Sequence, residues 1–216
     1  MQATSPSEIR LAHRYVALGD SFTAGAAGSD DAGFADHLAD LLRAVNPSLD
    51  YRNLAKAGSL TSDIVARQLG PAVAAKPDVV TIVCGGNDAL LSVRPDVHAH
   101  LAAFERALEI VGEQLPDAAL VTATVPDPAR FLPLRERSAA RISNAINQIN
   151  EATSAAAGRH GVPCLDFAAH PHTSNPEMYA ADGYHPSRSA SRLAAEAFAG
   201  VLGIHYGIQF DSEEVL

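Results

Sequence analysis

The residue types that acyl transfer requires occur in short polar segments far apart along the chain. Ser21 supplies a hydroxyl, and His185 supplies an imidazole that can accept its proton near neutral pH. Asp182, three residues before His185, can hold the other ring nitrogen and stabilise the imidazolium. The backbone amides of Ser21 and Gly58 and the side-chain amide of Asn87 can donate to a negatively charged oxygen. Together these residues predict a serine nucleophile, its base and an oxyanion site.

Each of these residues also has a purely structural interpretation when it is taken alone. Ser21 could be a turn residue or a helix cap, and Gly58 could occupy a turn that requires positive φ. The segment around Asn87 could form an Asx turn, and Asp182 with His185 could be a surface ion pair. The chemical interpretation therefore depends on a fold that brings these segments together.

Five short apolar runs have the character of β-strands: 15–18, 51–55, 78–84, 120–124 and 162–167. Several lack polar alternation, which is typical of strands buried on both faces of a parallel sheet. Helical periodicity between the runs predicts an α/β fold with right-handed crossovers. Ligands bind such sheets beyond the carboxyl ends of the strands. The segments that contain Ser21, Gly58 and Asn87 each follow one of the first three runs.

The helix boundaries and the chain ends give further expectations. Thr61 or Ser62 could cap one helix, and Ser187 or Ser189 could cap the last. Residues 204–210 alternate between apolar and other residues, which predicts a short extended segment against its own chain or against a partner subunit. We therefore expect a lead-in over 1–14, one catalytic domain over 15–203 and a tail over 204–216.

The four segments, in this order and spacing, resemble the sequence blocks of the SGNH hydrolases, also called the GDSL esterase/lipase family. Gly-Asp-Ser-Phe at 19–22 matches the nucleophile block, with Phe22 where Leu is commonest. Asn-Leu-Ala leading to Gly58 resembles the second block. Gly-Gly-Asn-Asp at 85–88 and Asp-Gly-Tyr-His-Pro at 182–186 match the third and last. The resemblance runs from residue 15 to about 202, nearly the whole chain.

The resemblance implies a three-layer α/β/α flavodoxin-like fold with a five-stranded parallel sheet in the order 2-1-3-4-5. That order makes strands 1 and 3 neighbours, so Ser21 and Asn87 would face one crevice. It also implies a serine ester hydrolase in which Ser21, Asp182 and His185 react while Ser21, Gly58 and Asn87 hold the oxyanion. No cofactor and no metal are expected.

The substrate stays open at this level. Short connections favour small or accessible acyl esters, such as short acyl esters or an acylated metabolite or sugar. An acyltransferase that uses the same acyl-serine is one alternative, and a binding module that kept the fold without the chemistry is another. Cleavage of phosphodiesters or sulfate esters is disfavoured, because no metal site or cluster of Arg and Lys accompanies the motifs.

Composition excludes several other classes of function. The 216 residues include 16 Lys+Arg and 25 Asp+Glu, a net charge of −9, which argues against binding to nucleic acid or anionic lipid. No apolar run is long enough to span a membrane. No signal peptide is evident, so a cytoplasmic location is expected. The glycines at 25 and 28 lack the pattern of a phosphate loop.

Cysteine and histidine are expected to play no metal-binding or disulfide role. Cys84 and Cys164 lie in apolar runs and are predicted to be buried in strands. His98 and His100 are two residues apart on a predicted helix and would point in nearly opposite directions. His170 and the histidine two residues later lie in a predicted loop without further ligands.

Overall fold

The fold is built on a sheet of five parallel strands in the order β2-β1-β3-β4-β5. The computed structural model of the chain describes residues 9–25 and 32–211. Its strands are β1 (Arg14–Gly19), β2 (Asp50–Asn53), β3 (Val79–Val83), β4 (Ala119–Ala123) and β5 (Cys164–Leu165). Every neighbouring pair runs parallel. The predicted α/β class and strand order are confirmed.

Helices connect the strands and cover both faces of the sheet. They are α1 (Ser21–Ala24), α2 (Phe34–Val45), α3 (Thr61–Asp63), a π-helical turn (Ile64–Gln68), α4 (Leu69–Ala75), α5 (Gly86–Leu90), α6 (Val97–Gln114), α7 (Glu136–Arg159) and α8 (Arg188–Tyr206). Short 3₁₀ turns occur at Ala129–Phe131, Pro171–Ser174 and Pro176–Met178.

Two apolar clusters, one on each face of the sheet, hold the layers together. Side chains of β1 alternate between them: Tyr15 packs into the cluster that includes α2 and α8, and Val16 into the cluster that includes α4 and α6. Phe34 of α2 stacks on Phe198 of α8 at 4.7 Å between ring centroids, and Phe104 of α6 is fully buried on the opposite face. Because both faces are covered, β3 and β4 are buried along their whole length, which explains their largely apolar sequences, whereas the edge strand β2 carries Asp50 and Arg52.

The helix caps agree only in part with the sequence expectations. Ser187 caps α8, and its hydroxyl accepts a hydrogen bond from the amide of Ala190 at 3.3 Å. The prediction of Thr61 or Ser62 as a cap is wrong, since the cap position is Leu60. The hydroxyl of Thr61 points into the interior, where buried polar partners compete for it.

The tail is helical over its first residues, so an extended segment over all of 204–210 is wrong. Helix α8 continues to Tyr206, and Gly207 then ends it in the left-handed conformation with φ of +67°. Ile208 forms a parallel bridge with Arg10 of the same chain and is buried. The alternating pattern thus straddles a helix end. The predicted subunit contact stays a prediction, as do the domain boundaries.

The last strand is shorter than the predicted run over 162–167. Only Cys164 and Leu165 pair with β4, and Asp166 then turns the chain by accepting hydrogen bonds from the Thr124 hydroxyl and the Ala169 amide. Cys164 is half-buried there, while Cys84 is buried immediately after β3. Residues 1–8, residues 26–31 with the predicted loop glycine at 28, and residues 212–216 lie outside the described part of the chain.

Candidate active site

The carboxyl ends of β2, β1 and β3 bring three predicted site residues to one edge of the sheet. Ser21 begins α1 directly after β1, and Asn87 lies in α5 directly after β3. Gly58 lies in the loop after β2, on the other side of β1. This is the reversal point of the strand order, where open α/β sheets bind their ligands. The crevice predicted from the sequence is therefore present.

Ser21 is held by a tight connection in which little can vary. Gly19 has φ of +152°, and a Cβ atom there would collide with the carbonyl oxygen of Val83 on β3. The Asp20 side chain caps α1 by accepting a hydrogen bond from the amide of Phe22 at 3.0 Å. Its backbone carbonyl accepts hydrogen bonds from the amides of Thr23 and Ala24. Among the hydrogen bonds of the described residues, the amide of Ser21 has no protein acceptor, so it can donate to a ligand. Ser21 itself is only 4% exposed.

Gly58 occupies a turn whose ends are fixed from two sides. The amide of Ser59 donates to the carbonyl of Lys56 at 3.1 Å, and the amide of Lys56 donates to the carbonyl of Gly19 at 3.2 Å. Gly58 has φ of +80°, which matches the third position of a type II turn, and a Cβ atom there would touch nothing within 4 Å. Backbone conformation rather than space therefore requires glycine.

Asn87 is buried with both ends of its side-chain amide engaged. Its Nδ2 donates to the carbonyl of Ser59 at 3.0 Å, and its Oδ1 accepts from the hydroxyl of Tyr184 at 3.2 Å. An amide nitrogen carries two hydrogens. Because Ser59 takes one, the second can donate to a group in the crevice.

The Asp182–His185 pair lies at the entrance to α8 and is well ordered by hydrogen bonds. Nδ1 of His185 lies 2.6 Å from Oδ2 of Asp182, and Oδ1 of Asp182 accepts the amides of Tyr184 and His185. Burial alone would raise the pKa of Asp182, but the hydrogen bond from His185 and these two amides outweigh it and lower the pKa. An ionised carboxylate at Nδ1 favours a proton on that nitrogen, so Nε2 is free to accept one.

Tyr184 connects the segments, although only its place in the last sequence block pointed to it beforehand. Its hydroxyl donates to Oδ1 of Asn87, and the nearby Ser21 side chain lowers its pKa against the effect of burial. Its ring meets the ring of Phe22 edge to face at 5.8 Å, and Phe22 lies 6.3 Å from the imidazole of His185. Burial raises the pKa of Tyr184, so it stays a neutral donor. Ser21, Asn87 and His185 are thus brought together around one side chain.

Gln68 is a second connecting residue that the sequence did not indicate. It ends the π-helical turn, is 5% exposed, and bonds to the backbone of Gly19. Its Nε2 also lies 3.4 Å from the hydroxyl oxygen of Ser59. A buried amide must find such partners, since leaving it unpaired is costly. π-Helical turns occur frequently at functional sites.

A buried polar chain supports the segment that carries Asn87. The amide and hydroxyl of Thr61 both donate to Asp88 Oδ2, at 3.1 and 3.0 Å. The Thr61 hydroxyl also lies 2.8 Å from Nδ1 of His100, whose Nε2 lies 3.0 Å from the hydroxyl of Thr153. Because Thr61 donates to the carboxylate, it accepts from Nδ1 of His100, which fixes the tautomer. Burial lowers the pKa of His100 to about 4, so the ring is neutral.

Burial has the opposite effect on the carboxyl group next to Ser21. Asp20 is fully buried, and burial raises its pKa to about 7 against the lowering effect of the hydrogen bond from Phe22. Its Oδ2 has no hydrogen-bond partner among residues 9–25 and 32–211. Burial also raises the pKa of Asp88. The interior behind Ser21 therefore disfavours negative charge.

Two cavities flank these residues. One of about 120 Å³ is apolar and is lined by Phe22 and Pro186, which directly follow Ser21 and His185. The other, of about 230 Å³, is lined by Asn87 together with charged and polar side chains such as Arg94. The crevice thus has an apolar side and a polar side.

Neither metal ligands nor a membrane span can be assigned within residues 9–25 and 32–211. No three His, Cys, Asp or Glu side chains of this part of the chain are grouped so that they could hold a metal ion. No helix in the same ranges has both the length and the apolar character needed to cross a bilayer.

Solved structures with the same fold include several esterases and lipases. A protein from Parabacteroides merdae assigned as a GDSL-like lipase superposes with a TM-score of 0.76 and 18% identity, covering 93% of this chain and all of that one. An acetylxylan esterase from Geobacillus stearothermophilus, in a catalytic mutant form, gives 0.70 and 20%, covering 92% and 97%. The lipase/acylhydrolase from Enterococcus faecalis gives 0.65 and 25%, covering 88% and 95%.

Comparison of the sequence itself identifies the family. No curated protein sequence matches the chain significantly. The model of the GDSL-like lipase/acylhydrolase family matches residues 17–193, which is most of the chain and includes all four sequence blocks. The resemblance inferred from those blocks is therefore confirmed, and the chain belongs to the GDSL-like lipase/acylhydrolase family of carboxylic ester hydrolases.

Proposed function

We propose that the protein hydrolyses small or accessible acyl esters through a covalent acyl-Ser21 intermediate. One observation carries this proposal. Within residues 182–185, Asp182 holds His185 at 2.6 Å while Tyr184 contacts both Ser21 and Asn87. A base, its orienting carboxylate, a hydroxyl and an amide donor thus converge on one point, as acyl transfer requires.

In the first step the Ser21 hydroxyl oxygen attacks the ester carbonyl carbon. Nε2 of His185 takes the hydroxyl proton, and Asp182 stabilises the imidazolium that forms. A serine hydroxyl is a weak nucleophile without such a base. The transfer requires the Ser21 hydroxyl within hydrogen-bond distance of Nε2 of His185.

The negative charge on the former carbonyl oxygen is held by three donors. These are the amides of Ser21 and Gly58 and the second Nδ2 hydrogen of Asn87. These donors are fixed before the substrate arrives. Hydrogen bonds to Ser59 and Tyr184 hold the Asn87 amide, and the turn from Lys56 to Ser59 holds the Gly58 amide. Such preorganised donors need no rearrangement as charge develops, and one of them is typically worth 10²–10³ in kcat.

Collapse of the tetrahedral intermediate breaks the bond to the alcohol oxygen, which His185 protonates. Water then attacks the acyl-Ser21 ester, with His185 again taking a proton. The second collapse returns the proton to Ser21 and releases the carboxylic acid. An acyltransferase would follow the same course with an acceptor alcohol in place of water, and product analysis with added alcohol separates the two.

Hydrolysis of 4-nitrophenyl acetate by the wild type and Ser21→Ala tests the mechanism. The variant should lose about 10³-fold or more in kcat, because the remaining donors cannot replace the nucleophile. A fluorophosphonate probe should add its mass to the wild type on Ser21. Equal rates from the two proteins would overturn the proposal, and a folded protein that never reacts with the probe would favour a binding module.

A further inference from the structure

The apolar cavity beside the site runs from the surface to the interior. Its rim includes the exposed residues His170, His172 and Leu193, and its floor includes the buried Phe34 and Val83. It therefore opens to solvent at one end and is closed at the other by the ends of the sheet and helix α8. This shape suits a chain that enters from the crevice or from the surface.

The lining offers very little to a polar ligand. The hydroxyl of Thr124 is occupied by Asp166 at 3.0 Å, and the hydroxyl of Tyr179 donates to the carbonyl of Thr173 at 3.1 Å. The remaining wall is mainly aromatic and aliphatic, with Phe167 and Met178 as its largest members together with Phe22 and Phe34. None of the described residues that line it is an Asp, Glu, Lys or Arg. A hydrocarbon group is the chemical class that such a wall binds, because burying it removes apolar surface from water.

The cavity adjoins the reacting groups through two residues. Phe22 follows Ser21 and Pro186 follows His185, and both line the cavity. The ring of Phe22 lies 6.3 Å from the imidazole of His185, so a group in the cavity lies one side chain away from the base. The family resemblance places a leucine most often at the position of Phe22, so this chain has its own aromatic wall at that point.

The cavity volume limits the size of the group. An apolar cavity of about 150 Å³ is sufficient for benzene, a ring of six carbons. The cavity here measures about 120 Å³. It therefore has room for about four to six carbons.

We propose that this cavity binds the hydrocarbon chain of the ester, so that the preferred substrates carry a chain of about four to six carbons. The proposal rests on the ester hydrolysis proposed above. It does not apply to the second cavity, beside Asn87, which is lined by the charged side chains of Asp88, Arg94 and Asp96.

Two series of esters test the proposal and show whether the bound hydrocarbon chain belongs to the acyl group or to the alcohol. The first varies the acyl chain from 4-nitrophenyl acetate to octanoate, and the second varies the alcohol from ethyl to octyl acetate. In one of the series kcat/KM should rise by up to about fourfold per methylene until about six carbons and then level off. The series that rises identifies the chain as acyl or alcohol.

Variants of the cavity make the test specific. Ala194→Leu fills the cavity and should lower the ratio of six-carbon to two-carbon kcat/KM by tenfold or more. Met178→Ala enlarges it and should move the optimum to longer chains. Ser189→Leu adds the same bulk to an exposed position of α8 outside the cavity and should leave the ratio within twofold.

The outcomes separate the two proposals. If Ser21→Ala and wild type hydrolyse acetate equally, the proposed mechanism fails. If hydrolysis depends on Ser21 but Ala194→Leu and Met178→Ala keep the chain-length profile of Ser189→Leu in both series, the hydrocarbon site is overturned. If Ala194→Leu does not fold, Met178→Ala alone decides: a shift of the preferred chain length to longer chains supports the hydrocarbon site, and an unchanged preference overturns it.

Discussion

The side-chain amide of Gln68 binds both backbone groups of Gly19: Oε1 accepts from the Gly19 nitrogen at 2.9 Å, and Nε2 donates to the Gly19 oxygen at 2.8 Å. Gly19 lies two residues before Ser21. The same Nε2 reaches the hydroxyl of Ser59, next to Gly58. One buried side chain thus links the nucleophile loop to the turn proposed to donate to the oxyanion.

Gln68→Leu should destabilise the protein and reduce its activity. Leucine keeps most of the volume but removes the acceptor of the buried Gly19 amide, while the Gly19 carbonyl keeps the amide of Lys56; the lost acceptor costs about 1–3 kcal/mol in the free energy of unfolding. Release of the loop should also lower kcat more than it raises KM. Denaturant unfolding and steady-state kinetics measure the two effects.

Gln114→Leu is the matched control, because Gln114 is exposed at the end of α6. It should change the free energy of unfolding by less than about 0.5 kcal/mol, as surface substitutions usually do. If Gln68→Leu is no more destabilised than this control, Gln68 does not link the two segments.

Tyr184→Phe should lower kcat by about tenfold with little change in KM. The ring keeps its edge contact with Phe22, but Oδ1 of Asn87 loses its donor, so the amide can rotate away from the oxyanion. The fold-change should shrink when the substitution is made in an Asn87→Ala background, because the hydroxyl then has no Asn87 amide to orient.

Tyr206→Phe serves as the control, since it also removes a hydrogen-bonding hydroxyl, one that donates to the carbonyl of Leu120 at 2.8 Å. It should leave kcat within twofold. An effect of Tyr184→Phe that is equally large with and without Asn87 would contradict the positioning role.

The sequence was sufficient for the order of the sheet and for the position of the candidate site residues at its edge, for physical reasons. Strands buried on both faces appear in the sequence as apolar runs. The polar residues that follow them stand out against these runs, so both the strands and the polar segments can be recognised from the sequence. The order of the sheet then places Ser21 and Asn87 together. Their proximity was therefore predictable before any side-chain contact was known.

The supporting contacts were not predictable, because they join residues distant in sequence. Gln68 lies 49 residues from Gly19, and Tyr184 lies 97 residues from Asn87. An isolated Gln or Tyr in an apolar pattern gives no indication of its partner. The tail shows a different limit: alternation over 204–210 is compatible with a strand, and only packing of α8 extends the helix to Tyr206.

Asp20 should make the stability of the protein depend on pH in a way that Asp20→Asn removes. Its pKa is about 7 in the folded protein and close to 3.8 when unfolded. Between these values the folded state binds more protons than the unfolded state, so the free energy of unfolding falls as pH rises. Below pH 4 and above pH 7 this contribution is constant. The slope reaches at most about 1.4 kcal/mol per pH unit.

Asparagine keeps the oxygen that accepts from Phe22 but cannot ionise. Its buried amide group adds a cost that does not vary with pH, so the informative quantity is the change in the difference between Asp20→Asn and wild type. Denaturant unfolding from pH 4 to pH 8 should show the variant gaining about 2–4 kcal/mol relative to wild type. Asp40→Asn, at an exposed carboxylate, should shift by less than about 0.5 kcal/mol. A constant difference for Asp20→Asn would mean that the Asp20 carboxyl ionises in the folded protein as readily as in the unfolded chain.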